Sequence, residues 1–165
     1  MTQLEWSDDL ALDFEVMDST HQEFVDLLAA VQAAPDADLV TQWRALVAHT
    51  DDHFGREDQW MAQTGFSSSN CHSTQHQVVL QVLREGLTWG EQGDLAPIRQ
   101  MASELVVWFP HHAQAMDAAL AQHLRTVGFD PATGVVAHTL PAEPIHGCGG
   151  GTCSEPLNTP ESVTV

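Results

Sequence analysis

A chain of 165 residues with 43% hydrophobic content fits one globular domain with a substantial core. Its 23 acidic residues against 5 basic ones give a formal net charge of −18. So negative a surface repels phosphate backbones and anionic membranes, and neither nucleic acid nor a membrane is an expected partner.

The N-terminal stretch MTQLEWSDDL carries neither the basic nor the apolar region of a secretion signal, and no apolar run reaches transmembrane length. A cytoplasmic location is the expectation. Residues 1–17 lack a helical period and are expected to form an extended arm, with Trp6, Leu10, Leu12, Phe14 and Val16 available for packing. The first helix is predicted to start at Asp18 or Ser19, where Ser19 and Gln22 have capping-box spacing. Its stripe is Phe24, Leu27, Leu28 and Val31, and Pro35 with Asp36 ends it.

A second helix is predicted from near Asp38 to about Ala62, with Leu39, Trp43, Leu46, His53, Glu57 and Trp60 or Met61 at helical intervals. GFSSSN (Gly65–Asn70) reads as a loop ending in capping residues. A third helix follows from Cys71 to about Trp89, and GEQGD (Gly90–Asp94) breaks it. The fourth runs from about Ala96 to roughly Thr126, with Pro97 in its first turn and Pro110 expected to kink it.

Four helices joined by short loops predict an all-α, up-down-up-down antiparallel four-helix bundle over residues 1–129. Residues 130–165, rich in Pro, Gly, Thr and Ser, read as a flexible tail. Cys71 is expected to stand alone. Cys148 and Cys153 fall in the tail, in IHGCGGGTC (Ile145–Cys153), which matches no strong metal motif and reads as a Gly-rich tether.

The inward faces of these helices carry polar residues. The second helix supplies His53 and Glu57 at i, i+4, and the third supplies His72 and His76 at the same spacing. The fourth supplies His112 and Asp117, which a regular helix turns ~140° apart, toward different sides of whatever lies between them. His21 lies near the start of the first helix. In an antiparallel bundle the start of the first helix is level with the end of the second, the start of the third and the end of the fourth. All seven residues therefore fall in one slab.

Any one of these histidines alone reads as a hydrogen-bonded core or surface residue; their agreement in depth carries the argument. Unpaired in a core, such groups would cost several kcal/mol each, a cost that metal coordination removes. Imidazole-rich ligation suits iron, zinc or copper better than magnesium or calcium. Seven donors exceed a tetrahedral zinc site and suit two metals with both carboxylates bridging. His49, one turn before His53, reads as a channel residue or a support for the ligands. His111, His123, His138 and His146 are not expected to be ligands.

The pieces WSDDLALDFEVMDSTH (Trp6–His21), HFGREDQWM (His53–Met61), HSTQH (His72–His76) and WFPHHAQAMD (Trp108–Asp117) together resemble a bacterial hemerythrin. The last is similar to the family's W-(L/F)-x-x-H-x-x-x-x-D segment in spacing and residue type. The resemblance implies two irons: one held by His72, His76 and His112, the other by His21 and His53. Glu57 and Asp117 would bridge them together with an oxo or hydroxo bridge. The iron with two histidines would keep one open position for dioxygen, facing an apolar pocket walled by Phe24, Trp108, Phe109 and Ala113.

This chain departs from the family pattern at Thr20, where Glu or Gln is frequent, and at Ala113, where a branched aliphatic is common. Gly65 and Phe66 replace a Tyr-Pro-like turn. None of these removes a ligand. Reversible dioxygen binding for carriage, storage or sensing is the leading expectation, in a monomer served by an unknown reductant, without enzymatic turnover. The alternatives are a di-iron enzyme acting on peroxide, nitric oxide or ferrous iron, and a zinc-bound structural module.

Overall fold

A computed structural model describes residues 3–147. Four helices form an antiparallel bundle: α1 (Glu15–Ala33), α2 (Asp36–Gln63), α3 (Cys71–Glu91) and α4 (Ala96–His112), the last continued by a π turn (Ala113–Asp117) and α5 (Ala118–Val127). Sequential neighbours pack on each other and α4 closes back onto α1, so the helices ring a common interior. This is the all-α bundle that the periodicity predicts.

The arm packs as its apolar residues suggest. Leu10 is buried, Leu4 and Trp6 lie against one apolar cluster, and Leu12, Phe14 and Val16 against a second. The entry to α1 differs from expectation. The Asp18 carboxylate accepts from the backbone N–H groups of Leu12 (2.7 Å) and Phe14 (3.2 Å), and the helix begins at Glu15. Ser19 lies inside the helix and donates to the Val16 carbonyl, so Ser19 and Gln22 are not its cap. A carboxylate in the first turn satisfies the incoming donors and favours the positive helix end, which outweighs the capping box.

The other boundaries follow local chemistry. Pro35 precedes α2, and Arg99 ties this corner to α4 by donating to the Ala34 carbonyl (2.7 Å) and to Asp36 (2.9 Å). Asn70 caps α3 by accepting from the Ser73 N–H (2.9 Å), as the loop chemistry predicts. Trp43, fully buried on α2, donates its indole N–H to the Leu83 carbonyl of α3 (3.0 Å). Pro97 sits in the first turn of α4. Pro110 lies inside α4 without ending it, and the break in regular α geometry comes later, at the π turn.

Gly128 ends α5 in the left-handed region at φ 63°, where a Cβ is disfavoured. A two-stranded antiparallel hairpin follows, β1 (Phe129–Asp130) with β2 (Val135–Val136). Composition assigned residues 130–165 to a flexible tail, but backbone pairing runs as far as His146. Cys148, Cys153 and the rest of the predicted tail lie outside the described residues. Cys71, expected to stand alone, is disulfide-bonded. The expectation failed because the return of the C-terminal segment to the α2–α3 loop is a tertiary event with no local signal.

The two apolar clusters lie on either side of the polar residues along α1, α2 and the fourth helical run. On α1, Met17 belongs to one cluster and Phe24, Val25 and Leu28 to the other; on α2, Trp60 and Val47 divide in the same way, as do Leu120 and Phe109 on the fourth helical run. The polar layer between them is closed off by packed hydrocarbon at both ends.

Candidate metal centre

The polar layer brings together all seven predicted residues. His21, His53, Glu57, His72, His76, His112 and Asp117 are each at most 2% exposed. Their donor atoms form two overlapping sets, within each of which all lie within 4.8 Å of one another: Glu57, His72, His76, His112 and Asp117 in one, His21, His53, Glu57 and Asp117 in the other. Both carboxylates belong to both sets.

The individual oxygens are divided between them. Glu57 turns Oε1 to His53 Nε2 (3.1 Å) and Oε2 to His76 Nε2 (3.4 Å) and His72 Nε2 (3.6 Å). Asp117 turns Oδ2 to His21 Nε2 (3.2 Å) and Oδ1 to His72 (3.0 Å) and His112 (3.1 Å). One oxygen of each carboxylate faces two of the three imidazoles of His72, His76 and His112, and the other faces one of the remaining pair, His53 or His21.

One sequence-based expectation is corrected here. His112 and Asp117 do not diverge to different sides. The π turn from Ala113 to Asp117 takes five residues into one wide turn, so both side chains project to the same interior.

Hydrogen bonds account for part of the layer only. His21 Nδ1 and Nε2, His53 Nδ1, His72 Nε2, Glu57 Oε2 and both Asp117 oxygens are buried without a well-formed hydrogen bond, although several of them lie within ion-pair distance of one another. Orphaned acceptors and imidazole nitrogens at this density are not how a protein core satisfies itself. They fit a pair of cations that take borderline nitrogen and hard oxygen donors together.

The electrostatics point the same way. Burial and the charge of Asp117 push the Glu57 carboxyl up, but His53 and His76 overcome both and hold it down at about 2. Burial opposes ionisation of Asp117 too, and His112, His21 and His72 keep it well below the usual carboxylate range. Burial lowers His76, yet Asp58 and Glu57 raise it to about 9. Asp117 raises His21 against burial, while burial lowers His112 by more than Asp117 restores. Both carboxylates are therefore anions at neutral pH, with imidazolium as their partner where no metal takes that role.

Two supporting residues escaped the sequence reading. His76 Nδ1–H donates to Asp58 (2.8 Å), and His112 Nδ1–H donates to the side-chain amide oxygen of Gln75, Oε1 (2.5 Å). Each bond places the ring proton on Nδ1 and turns Nε2 inward as a lone pair. Asp58 follows Glu57 and Gln75 precedes His76, so polar residues adjacent to ligands were the available signal. Phe54, also unassigned, stacks on His76 at 3.9 Å between ring centroids.

The four expected wall residues divide. Phe109 meets His21 edge-on at 5.2 Å and stacks on Phe24 at 4.4 Å, so this pair covers the two-histidine set. Ala113 is fully buried in the same apolar cluster. Trp108 stacks on His112 at 4.5 Å, which puts it beside the three-histidine set instead. Outside the ligand group, His49 donates to the Thr20 carbonyl (3.2 Å) with its ring 6.1 Å from that of His53, and burial lowers its pKa. Thr20 donates to the Val16 carbonyl and accepts from Arg56 (3.1 Å). His123 donates to the Thr64 carbonyl (2.8 Å), and His111, His138 and His146 are exposed.

Residues 12–124 match the family model described as Hemerythrin HHE cation binding domain. A protein named bacteriohemerythrin from Ralstonia nicotianae is 36% identical over 130 residues, covering 79% of this chain and 95% of that protein. Proteins of the same name from Stenotrophomonas maltophilia and Pseudomonas paraeruginosa are each 25% identical, over 76% of this chain and 84% of their own length. No solved structure gives a significant match. The family match runs from the end of the arm to the last helix and encloses every residue of the polar layer, and the chain belongs to the hemerythrin family, among its bacterial members.

Proposed function

We propose that this protein binds dioxygen reversibly at a non-haem di-iron centre. The observation that carries the reading is the unequal division of donors: three imidazoles on one side of two shared carboxylates, and two on the other. His72, His76 and His112 would hold one iron and His21 and His53 the other, with Glu57 and Asp117 within reach of both. The set with two imidazoles would have one donor fewer to offer than the set with three.

Two ferrous ions held this way supply two electrons and a vacant position for a small diatomic molecule. The protein's own part is electrostatic and steric. Glu57 and Asp117 bring two negative charges to an interior that would otherwise repel paired cations. Asp58 and Gln75 fix the tautomers of His76 and His112. Phe24 and Phe109 keep hydrocarbon against His21, which admits an apolar gas and opposes the solvation of charged products. A cytoplasmic monomer, with a reductant to restore the diferrous state, completes the proposal. His49 favours a second reading, slow turnover of peroxide, because it is a half-buried base, with its pKa lowered by burial, near His53.

The test is anaerobic loading with ferrous iron, followed by cycles of oxygen and argon. Uptake of about two irons per chain and an absorption band that appears with oxygen and fades under argon support the reading. A single tightly held zinc with no such band refutes it. Continuous peroxide consumption that His49→Ala abolishes would favour the second reading.

A further inference from the structure

A groove between α3 and α4 reaches the polar layer through one side chain. Val79, Val82 and Leu83 of α3 and Leu105 and Trp108 of α4 line it, around a volume of about 160 Å³. Leu83 and Leu105 are buried in the larger apolar cluster, so the floor of the groove is the core itself. Its rim is open: Val78 and Val82 are 57% and 40% exposed. Single exposed apolar residues need no explanation, but several around one concavity mark a place where something apolar binds.

Trp108 joins this groove to the candidate metal centre. The half-buried indole stacks on His112 at 4.5 Å, with 23° between the rings, and meets Phe54 edge-on at 6.3 Å. Phe54 in turn stacks on His76. A molecule in the groove is thus one aromatic ring away from a candidate ligand, and that ring is a delocalised path for an electron.

The walls also specify the occupant. None of the five basic residues, all arginine, lines the groove, and the chain's formal charge is −18. Anionic reductants such as ascorbate or a nicotinamide dinucleotide are repelled there. Glu104 supplies the charged group of the lining; its Oε1 accepts from Gln100 Nε2 (2.9 Å), which leaves carboxylate lone pairs for a donor in the groove. The volume is well below the ~300–1,000 Å³ of drug-sized pockets and suits one small ring. A neutral ring that carries hydroxyl donors and has electrons to give is a hydroquinone.

We propose that this groove binds a small neutral hydroquinone and that Trp108 relays its electrons to the metal held by His72, His76 and His112. This role depends on the di-iron reading and identifies its reductant by class. One hydroquinone becomes one quinone by losing two electrons and two protons. The electrons reduce two ferric ions to ferrous, which restores the diferrous pair. The protons leave to water at the mouth of the groove, with Glu104 as first acceptor. Trp108 bridges and is neither oxidised nor reduced overall. The quinone has lost the hydroxyl donors that Glu104 accepts from, so product binds less well than substrate and departs.

Calorimetric titration of trimethylhydroquinone into the full chain, reduced and kept under argon, isolates binding from electron transfer. Saturable binding is expected, and Val82→Glu should weaken it about tenfold by placing a charge in the exposed wall. Hydroquinone sulfonate, the anionic counterpart, should bind about tenfold more weakly than the neutral probe. Mixed with the diferric chain, trimethylhydroquinone should reduce it at a rate that saturates. Val82→Glu should raise the half-saturating concentration about tenfold and spare the saturated rate. Trp108→Phe should do the opposite, with iron content and binding nearly unchanged and a saturated rate slower by about tenfold or more. Binding that ignores Val82→Glu, a rate that stays linear in hydroquinone, or a Trp108→Phe chain reduced as fast as the parent overturns the proposal. So does concentration-dependent dimerisation that Val82→Glu abolishes without any hydroquinone binding, since the groove would then be a contact between copies. Groove binding in a chain that takes up no iron refutes the di-iron reading, and with it the relay, and leaves the hydroquinone site standing.

Discussion

Asp58→Asn isolates what a supporting carboxylate does for this layer. Asp58 contacts His76 Nδ1 at 2.8 Å and, together with Glu57, raises the His76 pKa to about 9 in metal-free protein against the effect of burial. Ligation must remove the Nε2 proton, which at pH 7 costs ~3 kcal/mol from this group. Apparent metal affinity should therefore fall about tenfold for each pH unit below 9 on this account. The substitution keeps an acceptor but removes its charge. Loss of a supporting partner of this kind lowers metal affinity about 10–100-fold, or ~1.4–2.7 kcal/mol.

The two effects oppose each other. The variant orients and polarises His76 less well, but surrenders its proton more readily. Its affinity deficit should be smallest near pH 6 and widen toward pH 8.5, with a flatter pH slope than the parent. Metal-free stability gives the complementary sign. A raised histidine stabilises fully below its unfolded pKa of 6.5, and that contribution disappears as the pH rises through about 9. Asp58→Asn should thus destabilise the metal-free protein at pH 6 and hardly at all at pH 10. Competition with a chromophoric chelator for cobalt(II), and urea unfolding of the metal-free protein, measure the two curves. A deficit constant across pH, or none, would refute the assignment of Asp58.

Two further substitutions test the ligand set and its wall. His112→Ala should lose iron and leave Asp117 Oδ1 with one imidazole fewer, whereas His111→Ala, an exposed neighbour, should keep both irons; equal loss from the two would misplace the ligand. Ala113→Ile should leave iron content unchanged and slow spontaneous oxidation of the oxygen-loaded form by drying the wall. It should also cost about 1–3 kcal/mol in thermal unfolding, because Ala113 is fully buried and the added carbons overpack the cluster.

What the sequence revealed depended on whether the signal was local or repeated. The stripes at Phe24, Leu28 and Val31, or at Trp43 and Leu46, name a face every turn, and helix existence followed from them. The candidate ligand set followed from repetition across helices: four separate segments placed histidines and carboxylates at one depth, and the structure brings those residues together. The start of α1 was missed because Ser19 and Asp18 are both competent capping residues. Only the arm's path, which brings the N–H groups of Leu12 and Phe14 to Asp18, decides between them. Asp58 and Gln75 were missed because a polar residue beside a ligand has the same pattern whether it faces solvent or an imidazole. The return of residues 141–146 to the α2–α3 loop was missed because Pro141 and Ile145 sit in a composition typical of linkers, and their partners Gly65 and Phe66 lie far earlier in the chain.

The spacing from His112 to Asp117 is the instructive case. Residues five apart on an α-helix diverge by ~140°, and on that basis the pair was assigned to opposite sides. The chemistry demanded otherwise, since Asp117 must offer one oxygen to the set that contains His112 and the other to His21. A carboxylate has too short a reach to do both from the far side of the helix. The backbone therefore had to supply the rotation, and the one regular way to bring positions i and i+5 together is a turn closed by i→i+5 hydrogen bonds. Such a turn is rare because it is less favourable than the α turn it replaces. It persists here between two candidate ligands, where the alternative is a carboxylate withdrawn from a layer of buried donors that could hold a cation. A ligand pair at an α-forbidden spacing within an otherwise continuous helix is thus itself a signal for a π turn, legible in the sequence once both residues are required to meet.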